Sequence, residues 1–173
     1  MIRTKVINDS TDLVSIIRAF DSPTKKEVFM EISKDWVPTS IILDKFGDDG
    51  QAALEFFDKM KLAETKWTTP EDGMDGKPQK MYRSFYSLFN INISCPVNEI
   101  SEIFNVSSLN ENQFRLLEEQ IFDFIGETGT FSNKISETFG ISSTALKALV
   151  KRSNKFQYTG LKITRSQPKQ QTN

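Results

Sequence analysis

Apolar residues recur at helical spacing along most of the chain, and the recurrence is broken by a glycine at two places of the same kind. Leu13, Ile16, Ile17 and Phe20 follow the capping residues of "NDSTD" and predict an amphipathic first helix. In "SPTKKEVFMEISKD" Pro23 stands where a helix starts, a position at which its missing N–H costs nothing, and Val28, Phe29 and Ile32 supply a core face. Ile42, Phe46, Ala53, Phe56 and Phe57 then surround Gly47. In "ISETFGISSTALKALVKR" Ile135, Phe139, Ile141, Leu146 and Leu149 surround Gly140 in the same way. Two helices crossing at a turn need this pattern: the glycine takes a left-handed backbone, and the flanking apolar residues then face one core. Ser142 or Ser143 is placed to cap the second helix by accepting a hydrogen bond from an orphan amide.

Runs compatible with β structure follow each glycine turn. "AETKW" and "KMYRSFYSLF" flank the Pro-, Gly- and Asp-rich "TTPEDGMDGKPQ", which reads as a hairpin with a long tip. "KFQYTGLKITRS" reads as a smaller hairpin around Thr159-Gly160. Between the two lie a strand in "FNINISCP", a short helix in "VNEISEIFNV" and a long helix in "NENQFRLLEEQIFDFIGETG". Asn110 caps this last helix, Gly126 or Gly129 stops it, and its stripe is Phe114, Leu117, Ile121, Phe124 and Ile125. The expected fold class is α+β, mainly α: tandem winged helix-turn-helix modules with short β-hairpin wings. Residues 1–95 form the N-terminal module. Residues 96–130 form linking helices that offer a dimer interface, and residues 131–173 form a basic helix-turn-helix with a short wing and a polar tail.

Composition narrows the chemistry. A chain of 173 residues with 38% hydrophobic and 26% charged residues is ordinary for a globular protein. No apolar run approaches the ~20 residues that cross a bilayer, and "MIRTKVINDSTDL" lacks the hydrophobic stretch of a signal peptide, so a cytoplasmic protein without a membrane partner is expected. The single cysteine, Cys95, reads as a packing residue. The absence of histidine removes Ser-His-Asp and Cys-His nucleophile systems together with the commonest zinc ligand sets. No enzyme, catalytic residue, metal or other cofactor is therefore expected.

Charge separates the two ends of the sequence. Residues 131–173 hold eight basic side chains against Glu137 alone, a net of plus seven, whereas residues 1–130 hold 14 basic and 22 acidic side chains, a net of minus eight. A basic segment attracts the phosphate backbone by releasing its counterions. On the helix after Gly140, Ser143, Thr144, Lys147 and Lys151 fall on the outer face, followed by Arg152. Lys155, Lys162 and Arg165 are placed to clamp the backbone of double-stranded DNA from the wing. In the first module the wing cations Lys77, Lys80 and Arg83 are better candidates than the helix, which opens with Asp48 and Asp49; those two carboxylates read as helix caps.

"VINDSTDLVSIIRAFDSPTKKEVFMEISKDW", "LAETKW", "PEDGMDGKPQKMYRSFYS" and "ALVKRS", in this order and spacing, resemble the archaeal ArsR-type winged-helix transcriptional regulators, and the resemblance covers nearly the whole chain. It implies a dimeric DNA-binding regulator with a winged-helix fold from an archaeal cytoplasm. Metal-sensing relatives in the wider class use clusters of Cys, His and carboxylate, so with one Cys and no His no metal site is carried over. A second reading is a tandem winged-helix adaptor that holds proteins through Trp36, Trp67, Phe85 and Tyr86 as exposed anchors.

Overall fold

The computed structural model describes residues 2–69 and 78–166. The hairpin tip with Lys77, and the polar tail, lie outside the described residues. The chain forms two compact units: Met1–Ile7 with Ile16–Asn92, and Asn8–Ser15 with Ile93–Asn173. It therefore begins in the first unit, visits the second, returns to build the first, and only then completes the second.

The first unit is assembled from β1 (Thr4–Ile7), most of α1 (Leu13–Ala19), α2 (Pro23–Lys34), β2 (Val37–Pro38), α3 (Thr39–Lys59), β3 (Ala63–Thr68), β4 (Gln79–Ser84) and β5 (Leu88–Ile91). Ser22 caps α2, its hydroxyl accepting from the Lys25 amide at 3.2 Å, with Pro23 in the first turn. α3 is broken at Gly47, whose φ of 61° and ψ of −151° form a backbone that residues with a Cβ avoid. The break turns Ile42 and Phe57 toward one core, where both are buried with Val28, Phe29, Ile32, Ala53, Leu54 and Tyr82. β2, β4 and β3 form an antiparallel sheet in that order, and β1 pairs in parallel with β5 from Thr4↔Leu88 to Ile7↔Ile91.

The second unit holds a 3-10 turn (Ser10–Asp12), α4 (Val97–Ser108), α5 (Glu111–Ile125), β6 (Thr130–Phe131), α6 (Ser132–Phe139), α7 (Ser143–Arg152), β7 (Phe156–Thr159) and β8 (Lys162–Arg165). Asn110 and Gln113 form a reciprocal capping box at the start of α5. Gly126, with φ 65°, ends that helix. The sheet order is β6-β8-β7, antiparallel throughout, so the topology of β2-β4-β3 is repeated. Each unit thus runs helix, two-residue strand, helix, glycine break, helix and hairpin. The hairpins differ: Thr159 faces Lys162 across a two-residue turn whose first residue is Gly160 with φ 60°, whereas β3 and β4 are joined by residues 69–78.

Several expected features are placed differently. β1 is an addition to the expected elements. On the first helix Val14 and Ala19 are the deepest residues, whereas Leu13, Ile16 and Ile17 are half-buried and Phe20 is exposed; the helix does not bury one continuous stripe, because Val14 belongs to the second unit and Ala19 to the core of the first. Residues 96–130 carry Ile103, Val106, Phe114, Ile121 and Ile125 into the interior of the second unit. Asp48 and Asp49 sit in the first turn after the Gly47 break, where the partial positive charge of a helix start favours carboxylates. Cys95 is half-buried in the segment after β5. Among the described residues no helix is long and apolar enough to cross a membrane, and no group of three metal-binding side chains converges.

Candidate nucleic-acid interface

α6 and α7 meet at Gly140, whose φ of 63° and ψ of 31° are left-handed helical values. The Ser142 hydroxyl accepts from the Ala145 amide at 3.0 Å and fixes the start of α7. Ile135, Leu146 and Leu149 are fully buried, and Ser143, Lys147 and Lys151, four residues apart, are exposed on one face with Thr144 half-buried beside them.

The flank of α7 is held by α4. The Ser142 hydroxyl donates to Glu102 at one end. At the other, Arg152 donates to the Val106 carbonyl at 2.7 Å and to Glu111 at 3.1 Å, with its guanidinium 4.2 Å from the centre of the Phe114 ring. Arg152 is buried and spent inside the fold, which removes it from the DNA-contacting candidates. The spacing contained the signal, since a residue three positions after Leu149 continues the apolar stripe.

Four further cations of this unit are also engaged. Lys155 pairs at 3.1 Å with Glu118, a buried carboxylate on α5 that also accepts from the Ser153 hydroxyl. Arg165 donates to the Phe122 carbonyl at 3.1 Å and stacks 4.1 Å over its ring. Lys162, half-buried, lies 5.0 Å over Phe131. Lys151 is 2.6 Å from Asp12 in the 3-10 turn. Beside it the Thr11 hydroxyl, then the Thr11 amide and the charges of Lys151 and Lys147, hold the Asp9 carboxyl below its ordinary range against the opposing effect of burial. Sequence reasoning missed Asp12, Glu102 and Glu118, because no local spacing announces a partner more than thirty residues away. Assigned to units, the charge asymmetry disappears: the second unit holds nine basic and ten acidic residues, the first thirteen of each.

In the first unit the corresponding helix face, after Gly47, exposes Asp48, Asp49, Gln51 and Glu55. Of the wing candidates, Lys80 pairs with Asp58 at 3.0 Å and lies 4.8 Å from the centre of the Tyr82 ring; these partners raise its pKa although burial opposes them. Arg83 pairs with Glu64 at 2.6 Å and stacks 4.7 Å over Trp36. Burial pushes Glu64 up, yet the bonds from Arg3 and Arg83 outweigh it and hold the carboxyl below its ordinary range. Trp67, opposite Lys80 in the hairpin, is 69% exposed and borders an open groove of about 480 Å³ with Gln51, Leu54, Glu55 and Tyr82. Trp36 and Tyr86 are half-buried, and Phe85 is exposed but carries Arg3 at 4.5 Å.

Two helices crossing at a left-handed glycine with a polar face outward are the elements of a helix-turn-helix protein. The family model of the ArsR transcriptional regulators matches residues 7–167, and the chain belongs to that family. Membership points to a regulatory protein acting through DNA, not to an enzyme. No curated protein and no solved structure matches the chain.

Proposed function

We propose that this chain is a DNA-binding transcriptional regulator of the archaeal ArsR type, cytoplasmic, built from two winged helix-turn-helix modules and bound to duplex DNA as a homodimer. The observation that carries the reading is the α6–Gly140–α7 turn, with Ser143, Lys147 and Lys151 in line on the exposed face of α7 and Thr144 beside them. Lys147 and Lys151 meet phosphate, Ser143 and Thr144 reach toward base edges, and Lys162 approaches the backbone from the wing. Lys155 and Arg165 hold the wing in place by bonds to α5. Exposed apolar side chains remain at Phe104 and Leu116 for a second copy to cover, whereas Ile121 of the expected dimer stripe is wholly buried. Lys80 and Arg83, tied to Asp58 and Glu64, make secondary contacts.

The test is a titration of a mixed-sequence DNA duplex followed by sedimentation velocity at several salt concentrations. Two chains per bound complex are expected. Lys147→Gln should weaken binding and flatten the log–log salt dependence by about one unit for each phosphate left without its lysine, and Lys162→Gln should do the same. Complexes with one chain would remove the dimer. Unchanged affinity and slope in both variants would remove this face as the DNA-binding surface. Exposed Trp67 beside its groove favours the adaptor reading, which predicts no duplex binding in the same titration.

A further inference from the structure

The lysines that would meet DNA already face an anion supplied by the chain. The 3-10 turn Ser10–Asp12 is fixed to the second unit by buried Thr11 and Val14. Asp9 accepts from the Thr11 amide at 2.8 Å and from its hydroxyl at 2.7 Å, which orients that carboxylate and shapes the turn. Asp12, on the same turn, places its carboxylate 2.6 Å from Lys151. The charge of Lys147 also bears on Asp9. One carboxylate is thus held against Lys151, and a second, close enough for the charge of both α7 lysines to act on it, is oriented by the same anchored turn.

We infer that the turn bearing Asp9 and Asp12 is a built-in competitor for the DNA backbone: it occupies Lys151 with a carboxylate that phosphate must displace, and sets a second negative charge beside the α7 lysines. The inference rests on the reading that the α7 face meets DNA, and it names what sets the affinity of that face. The size of the effect follows from exposure. Lys151 and Asp12 are 49% and 32% exposed, and an ion pair in that setting contributes at most about 1 kcal/mol, equivalent to about fivefold in binding. The turn therefore tunes affinity without locking the site. It also lowers salt sensitivity, because a lysine that exchanges a carboxylate for a phosphate releases fewer counterions from the DNA–protein pair than one that was unpaired.

The experiment uses the full chain and the same mixed-sequence duplex. Asp9→Asn with Asp12→Asn keeps one side-chain oxygen at each position and removes the charges, and a thermal melt checks that the fold is retained. Binding should tighten by up to about fivefold at low salt, with a salt slope steeper by about one unit. In a Lys147→Gln, Lys151→Gln background the same pair of changes should gain no more than the general effect of removing two negative charges. Glu119→Gln with Glu127→Gln, two exposed acids on the same unit, measures the general effect of removing negative charge and should give a smaller gain with no dependence on the lysines. If the lysine changes weaken binding while the aspartate changes leave affinity and slope untouched, the competitor is overturned and the DNA reading stands. If the lysine changes themselves do nothing, the α7 reading falls and the competitor with it. A gain that persists undiminished without the lysines, or that the glutamate control matches, also overturns it.

Discussion

The two units repeat one order of elements and use it to opposite ends. In the second, the helix after the glycine carries the cations, but α4 lies along one flank and the carboxylates of Asp12, Glu111 and Glu118 take up Lys151, Arg152 and Lys155. In the first, the helix after the glycine is open to solvent and acidic, exposing Asp48, Asp49 and Glu55. The difference teaches that charge counted along a sequence and charge offered at a surface are separate quantities. Three cations of residues 131–173 pair with acids from residues 8–15 and 96–130, and counted over the whole unit the acids of those two segments offset the surplus.

The strongest challenge to this comparison is to remove the side chain that α7 buries. Arg152→Met deletes the charged bonds to the Val106 and Ser107 carbonyls and to Glu111, whose carboxylate is itself exposed, so the cost should be about 2–3 kcal/mol and not the larger penalty of a stranded buried charge. Both tryptophans, Trp36 and Trp67, belong to the first unit, so their fluorescence follows that unit while circular dichroism follows both. The dichroism transition should fall and the fluorescence transition should hold. A common shift would show the two units unfolding as one block.

A sharper and smaller contrast lies in the glycine breaks. Neither Gly47 nor Gly140 has an atom within 4 Å of where a Cβ would stand, so substitution tests backbone conformation alone. Asn tolerates the left-handed values of Gly140 but not the φ of 61° and ψ of −151° at Gly47. Gly47→Asn should cost about 1–3 kcal/mol in denaturant unfolding and Gly140→Asn a few tenths. Equal costs would mean that the two breaks are not distinct in solution.

The smallest expected effect is on acid stability. Glu64 in the first unit and Asp9 in the second are both held below their ordinary values of 4.5 and 3.8. Each contribution is complete above its unfolded value and is lost as pH falls through the lowered folded value. Glu64→Gln should therefore flatten the acid limb of the tryptophan-detected stability curve. Asp9→Asn should leave that limb unchanged and act only on the dichroism signal. An effect of Asp9→Asn on the fluorescence would break the assignment of residues 8–15 to the second unit.

What the chain declares on its own is local. Gly140, the Ser142 cap, the Asn110 cap and the β7–β8 hairpin each show themselves within a few residues, because capping and turn geometry depend on neighbours in sequence. What escapes is non-local. β1 is four residues long and pairs with a strand more than eighty positions later, so neither periodicity nor turn residues mark it. The candidate site divides along the same line. Helical spacing places Lys147 and Lys151 outward, but that Asp12 stands against Lys151 depends on a return of the chain across 139 positions.

That return has a consequence for synthesis. Residues 8–15, with Val14 and Thr11, leave the ribosome before residues 93–173 of their own unit exist, and all of the first unit beyond its opening strand is made in the interval. The second unit cannot close vectorially behind the ribosome; it must wait for residues 93–166 and then recapture a segment made before residues 16–92. A fragment beginning at Ile93 would lack that segment however well its own helices form. Its folding should be slow for its size, since the loop that must be closed is an entire neighbouring domain.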